Sequence, residues 1–182
     1  MKKFLCVILV LTMTVAMLSG CGKQEAAQTE ATTAPAATVE GTLEELLNRV
    51  IEERPVEFMG GVTTLDLADT SEDGLWAIKN NTGLENADKI TEAAVFEPMI
   101  GSIAFSMVMV RVAPGEDTRA VAEEMKSGID PRKWICVAAD DLLVTGYGDV
   151  VMLIMLDSGS GLTAQSFVDA FGKVVGEPAF VI

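Results

Sequence analysis

From Thr42 onward the apolar positions first follow a helical period and then change to strand-like runs. Leu43, Leu46, Leu47, Val50 and Ile51 fall on one helix face, opposite Glu44, Glu45, Glu52 and Glu53. Thr42 and Glu45 have capping-box spacing, in which the hydroxyl accepts from the Glu45 amide and the carboxylate reaches back; Pro55 stops the helix. A short β-prone run, Val62 to Leu67, follows Gly60-Gly61. Ser71 is placed to cap a second helix through Asn80, with Leu75, Trp76 and Ile78 as its apolar positions and Gly83 as its breaker.

Strands dominate after Ile90. Glu92 to Glu97 leads to a turn at Pro98 to Gly101, and Ser102 to Ala113 is a long apolar run of the kind covered on both faces. Asp117 or Thr118 caps a helix through Lys126 that presents Val121, Ala122 and Met125. Trp134 to Ala138 reads as another strand, Leu142–Thr145 and Val150–Leu156 as a hairpin around Gly146-Tyr147-Gly148. Thr163 to Val175 reads as a last helix with Phe167, Val168, Phe171, Val174 and Val175 inward. Two strand–strand–helix units, Glu92 to Lys126 and Trp134 to Val175, suggest a weak internal duplication aligning Gly101 with Gly148. The predicted class is α+β: one domain over 42–182, an antiparallel sheet made from the two units with helices packed on it, preceded by the N-terminal helix.

The N-terminus has a different character. Lys2 and Lys3 precede an apolar stretch from Phe4 to Met17, and Leu18-Ser19-Gly20-Cys21 has the form of a lipoprotein processing site. Residues 1–20 are therefore predicted to be a signal peptide cleaved between Gly20 and Cys21, with Cys21 carrying the lipid (palmitate-type acyl chains). Two or more acyl chains make such an anchor stable. Residues 21–41, rich in Ala, Thr, Gln and Glu, read as a disordered tether. The expected location is the extracytoplasmic face of the cell membrane.

The chain has 13 basic and 27 acidic residues, a net charge of −14; loss of Lys2 and Lys3 leaves 11 against 27, or −16. Such a chain is repelled by phosphate backbones, which argues against nucleic acid as a partner and leaves the lipid as the membrane link. There is no histidine, so the usual Ser-His-Asp and Cys-His constellations are excluded and zinc would have a poor ligand set. No catalytic residue, metal ligand or cofactor is expected. Asp130, Asp140, Asp141, Asp149 and Asp157 are read as solvated turn residues. The alternative is an envelope hydrolase or cation-dependent enzyme that uses these carboxylates. Cys136, alone after processing, is read as a buried small hydrophobe in the apolar setting Trp134 to Ala138. Trp76 and Trp134 are assigned to the core, and Tyr147 to an exposed hairpin tip.

The stretches Ala93-Ala94-Val95-Phe96-Glu97-Pro98, Ile103 to Val112, Val121-Ala122-Glu123-Glu124-Met125, Asp130-Pro131-Arg132-Lys133-Trp134-Ile135-Cys136-Val137 and Gly148-Asp149-Val150-Val151 resemble a clostridial-type family of Gram-positive lipoproteins. That family carries a domain of unknown function behind a lipobox and tether. The resemblance implies a small α+β domain outside the membrane and brings no catalytic residues. The expected function is a non-enzymatic module binding an envelope protein or ligand, or a second copy. Candidate contacts are Arg132, Lys133, Trp134 and Tyr147, or a sheet face left uncovered by helices.

Overall fold

The computed structural model describes residues 37–182. The signal segment, the Gly20–Cys21 cleavage site, the lipidation site and all but the last residues of the tether lie outside them.

The four helices begin where side-chain oxygens can satisfy their first amides. Helix α1 (Leu43–Glu53) has Thr42 and Glu45 in a complete capping box; α2 (Glu72–Thr82) is capped by Ser71, α3 (Thr118–Gly128) by Asp117 and α4 (Ala164–Val175) by Thr163. The strands are β1 (Gly60–Thr64), β2 (Ile90–Pro98), β3 (Phe105–Val112), β4 (Asp141–Tyr147), β5 (Val150–Leu156) and β6 (Phe180–Val181). They form one antiparallel sheet in the order β1-β2-β3-β5-β4-β6. The α+β class is thus shown.

Side-chain alternation divides the core between two faces. Phe96, Phe105, Met107, Met109, Met152, Ile154 and Leu156 project to the first face. They meet Leu43, Leu46, Leu47 and Val50 of α1 and Ala164, Phe167, Val168 and Phe171 of α4. Each of these buried large side chains contributes about 1.5–3 kcal/mol. Ala93, Val95, Val108, Val110, Val151, Leu153 and Met155 project to the second face, under Ile78 of α2 and Val121, Ala122 and Met125 of α3. Helices therefore cover both faces, and the uncovered face considered as a binding surface does not exist. The apolar run of β3 and β5 is explained by this double coverage.

The strand order β2-β3-β5-β4 is symmetric about the central β3–β5 pairing, where Val108 faces Leu153 and Met109 faces Met152. A twofold axis there would stand normal to the sheet and place α3 and α4 on one face. They lie on opposite faces, so the duplication ends with the strands.

Other expectations change. Strand β1 starts at Gly60 rather than Val62. Trp134 to Ala138 forms no strand: the Ala139 amide donates to the Pro131 carbonyl at 2.8 Å, closing a loop that an extended segment of this length could not make. Cys136 is consequently exposed instead of buried. The outer edge of β4 is taken by β6, an element too short to show a period. Trp76, assigned to the core, is 66% exposed, because α2 turns Gly74, Ile78 and Thr82 inward.

Candidate functional site

The segment before α1 is held at one end of the sheet by a single cation. Arg111 on β3 reaches Glu92 Oε2 at 3.1 Å and Asp149 Oδ2 at 3.0 Å, and donates to the carbonyls of Val39 and Gly41 at 2.9 and 2.6 Å. The same carboxylates accept from the amides of Val39 and Leu43, both at 2.8 Å. Residues 37–41, expected to belong to the tether, are thus docked against β3 and the β4–β5 turn. Burial of the Arg111 guanidinium works to lower its pKa, but the hydrogen bonds and charges of Asp149 and Glu92 together outweigh it and raise the pKa.

The stretch Asp130-Pro131-Arg132-Lys133-Trp134 splits in two. Asp130 Oδ1 accepts from the Arg132 amide at 2.8 Å, and the Arg132 side chain points to solvent. Lys133 turns inward, its side chain only 4% exposed. Its ammonium lies 2.6 Å from Glu97 Oε1, off hydrogen-bond geometry, and 3.1 Å from both Asn81 Oδ1 and Ser106 Oγ. It also sits 5.6 Å from the centre of the Trp134 ring. Burial lowers the Lys133 pKa, and Glu97 opposes that shift. A lysine beside a serine is a nucleophile–base arrangement in principle. Here Ser106 is fully buried, and neither of the clefts described below reaches it. The cluster pins the 129–140 loop to β2, β3 and α2.

Tyr147 is half-buried, not an exposed tip, its ring lying against Gly176 beyond α4. It packs on the first face of the sheet and Trp134 on the second, so the structure does not bring the two aromatics together. The remaining aspartates serve local backbone. Asp141 Oδ2 accepts from the first amide of α4 at 2.8 Å, and Asp157 Oδ1 from Gly159 at 2.9 Å. Asp140 takes both the amide and the hydroxyl of Ser158, at 2.7 and 2.8 Å, and these bonds lower its pKa.

The opposite end of the sheet carries the features that sequence reasoning missed. Met59 and Met99, 78% and 72% exposed, are joined by a 2.9 Å backbone hydrogen bond beyond the ends of β1 and β2; exposed Ile100 follows. Counted along β2 from Glu92, Met99 stands about 20 Å from the Arg111 cluster. At this same end of the sheet is a cleft of 570 Å³ lined by Arg54, Glu57, Phe58, Ile103, Phe105 and Leu162 among others, Phe58 being the residue before Met59. Phe58, Phe105 and Phe167 stack edge-on, with ring centres 5.2 and 5.1 Å apart along the series. The Arg54 guanidinium is fixed: Nε donates to Ser166 Oγ at 3.1 Å, Nη1 to the Pro55 carbonyl at 2.9 Å, and its carbon lies 5.6 Å from the Phe167 ring centre. A second cleft, of 750 Å³, lies at the Arg111 end, bordered by Ala37, Thr38, Asp117, Tyr147 and Phe180. Its border includes the first described residues.

The distal cleft has a weak trace in the chain: apolar Val56, Phe58 and Met59 in a loop, and Met99-Ile100 in a turn, positions where polar residues are the rule. Among the described residues no three Cys, Asp or Glu side chains gather as a metal site, and no helix is long and apolar enough to cross a membrane.

No protein-family model, curated protein or solved structure matches this chain. The class is therefore the one its own architecture defines: a single α+β domain, an antiparallel six-stranded sheet with two helices on each face. A docked N-terminal segment marks one end of that sheet and an apolar cleft the other.

Proposed function

We propose that the chain is an extracytoplasmic lipoprotein of a Gram-positive envelope, anchored through Cys21, whose domain is a non-enzymatic binding module. The observation that carries the reading is polarity. The chain joins the domain at the Arg111 end, while Met59, Met99, Ile100 and the Arg54 cleft lie at the far end. A lipid at Cys21 would leave the apolar end free to meet an envelope partner or ligand. Exposed apolar side chains grouped beside a cleft are the usual mark of a recognition surface. The lipobox-like segment and the resemblance to clostridial-type lipoproteins support the address, and the commitment of Asp130, Asp140, Asp141, Asp149 and Asp157 to structural hydrogen bonds supports binding over carboxylate catalysis.

The test has two arms. Mass spectrometry of the N-terminal peptide is expected to show an acylated Cys21, and Cys21→Ser to move the chain from membrane to soluble fractions. A photo-crosslinker at Met99 is expected to form adducts in cells that Ile100→Asp abolishes, while one at exposed Glu123 on α3 forms none. An intact, unacylated N-terminus overturns the address. Equal adducts at Met99 and Glu123 overturn the placement of the binding surface.

A further inference from the structure

We infer that the distal cleft binds a small zwitterion with an apolar side chain, the chemistry of a hydrophobic α-amino acid. The inference rests on the binding-module reading and names the ligand class of that same site. Six of the ten basic residues in the described region are in ion pairs: Lys79, Lys89, Arg111, Arg119, Lys133 and Lys173. Arg54 is in none, in a chain where acids outnumber bases 27 to 13. Its guanidinium is nevertheless held in place by Ser166, the Pro55 carbonyl and the Phe167 ring, with Nη2 uncommitted among the described residues. Such a group has already lost the rotamer freedom that binding would otherwise remove, and its open edge suits a carboxylate.

Glu57 borders the same cleft, exposed, and among the described residues it too is in no ion pair. A cation and an anion that line one cleft without neutralising each other complement a ligand that carries both charges. Phe58, Ile103 and Leu162, each half-buried, give the same cleft an apolar wall, backed by buried Phe105. The 570 Å³ volume falls within the range of about 300–1,000 Å³ typical of small-molecule sites. A purely apolar ligand would leave the fixed guanidinium unused, and a simple anion would meet Glu57 without compensation.

The test uses the full chain in detergent micelles with ¹³C-methyl isoleucine and leucine, the cleft-lining Ile103 and Leu162 serving as reporters, titrated with L-phenylalanine, L-leucine, 3-phenylpropanoate and phenethylamine. Saturable shifts of both reporters are expected with the two amino acids, weaker binding with 3-phenylpropanoate, and the weakest with phenethylamine. Arg54→Gln is expected to weaken phenylalanine binding by about tenfold to a hundredfold, the scale of a charge-assisted contact. Exposed Glu57→Gln is expected to weaken it by up to about fivefold and to leave 3-phenylpropanoate no weaker. Because Glu57 makes no contact that the fold needs, this second variant remains informative if Arg54→Gln fails to fold. No saturable shift with either amino acid, or phenylalanine binding unchanged in both variants, overturns the inference. If the Met99 crosslink persists in that case, the binding-module reading stands without it; if the crosslink is lost as well, both fall.

Discussion

Replacing Arg111 with methionine removes the cation that, among the described residues, ties the segment before α1 to the sheet, while keeping the apolar stem. The Arg111 side chain is 15% exposed, and its loss would leave Glu92 and Asp149 facing each other across the vacated space. Each carboxylate would retain one amide, from Leu43 and Val39, and the carbonyls of Val39 and Gly41 would lose their donors. Removing one partner from a buried ion pair costs about 3–5 kcal/mol. These carboxylates are partly exposed, so screening reduces the expected loss to about 2–3 kcal/mol. Urea unfolding followed by tryptophan fluorescence, with half-buried Trp134 as the reporter, measures it as a lower midpoint at unchanged slope. A drop in midpoint temperature of about 5–10 °C should accompany it. The mechanism makes a second demand: in a Glu92→Gln, Asp149→Asn background the same Arg111→Met change should cost less than about 1 kcal/mol, because no unpaired carboxylates remain. The Val39 and Leu43 amides should also exchange faster in the single variant, showing that the segment has come loose. A loss under about 0.5 kcal/mol, or an equal loss in both backgrounds, would refute the assignment of Arg111 as an ionic clamp.

Three further outcomes are expected. The pKa of Lys133 is lowered below its ordinary 10.5, so between the folded value and 10.5 the unfolded chain holds a proton that the folded chain lacks. Stability should therefore rise with pH through that window, relative to a Lys133→Met, Glu97→Gln variant, and urea midpoints at alkaline pH that run parallel in the two proteins would contradict this. Gly148 has φ +58°, and a Cβ there would stand 2.0 Å from the Ala37 carbonyl oxygen. Gly148→Ala should cost about 2 kcal/mol of unfolding free energy and release the Ala37–Asp149 hydrogen bond, seen as faster exchange of the Asp149 amide. Cys136 is exposed, so the native chain should react with a maleimide as fast as the urea-unfolded chain does; strong native protection would place the 129–140 loop differently.

The helices were the most legible elements because their signals are local. Thr42, Ser71, Asp117 and Thr163 each cap within their own segment, and the apolar period of α1, α3 and α4 selects the buried face directly. The β2–β3 and β4–β5 pairings also follow from short connections, whereas β1–β2, β3–β5 and β4–β6 join strands separated by whole elements. Which helix covers which face does not, since a continuous apolar run such as Met107-Val108-Met109-Val110 satisfies either side. The departures at Trp76 and at Trp134 to Ala138 share a cause: apolar composition along the chain does not by itself bury a side chain. Burial instead depends on what α2 packs against and on a loop closed between Pro131 and Ala139.

Lys133 shows why the candidate surface moved. In the chain, Arg132 and Lys133 are neighbouring cations beside an aromatic, a composition that suggests an outward-facing contact. In the fold, a glutamate, an asparagine and a serine from three elements converge on the ammonium of Lys133, and only Arg132 remains outside. The distal cleft is the converse case. Its walls come from 54–58, 103–105 and 160–162, and none of these segments has a motif of its own. Arg54 stands out there only once it is known that no described acid reaches it while Ser166 and Phe167 do, a relation over more than a hundred residues of chain. Side chains made informative by what fails to pair with them cannot be found from spacing. That is why the end of the sheet opposite the docked segment, rather than the Asp130 to Trp134 turn, is the place to seek a ligand.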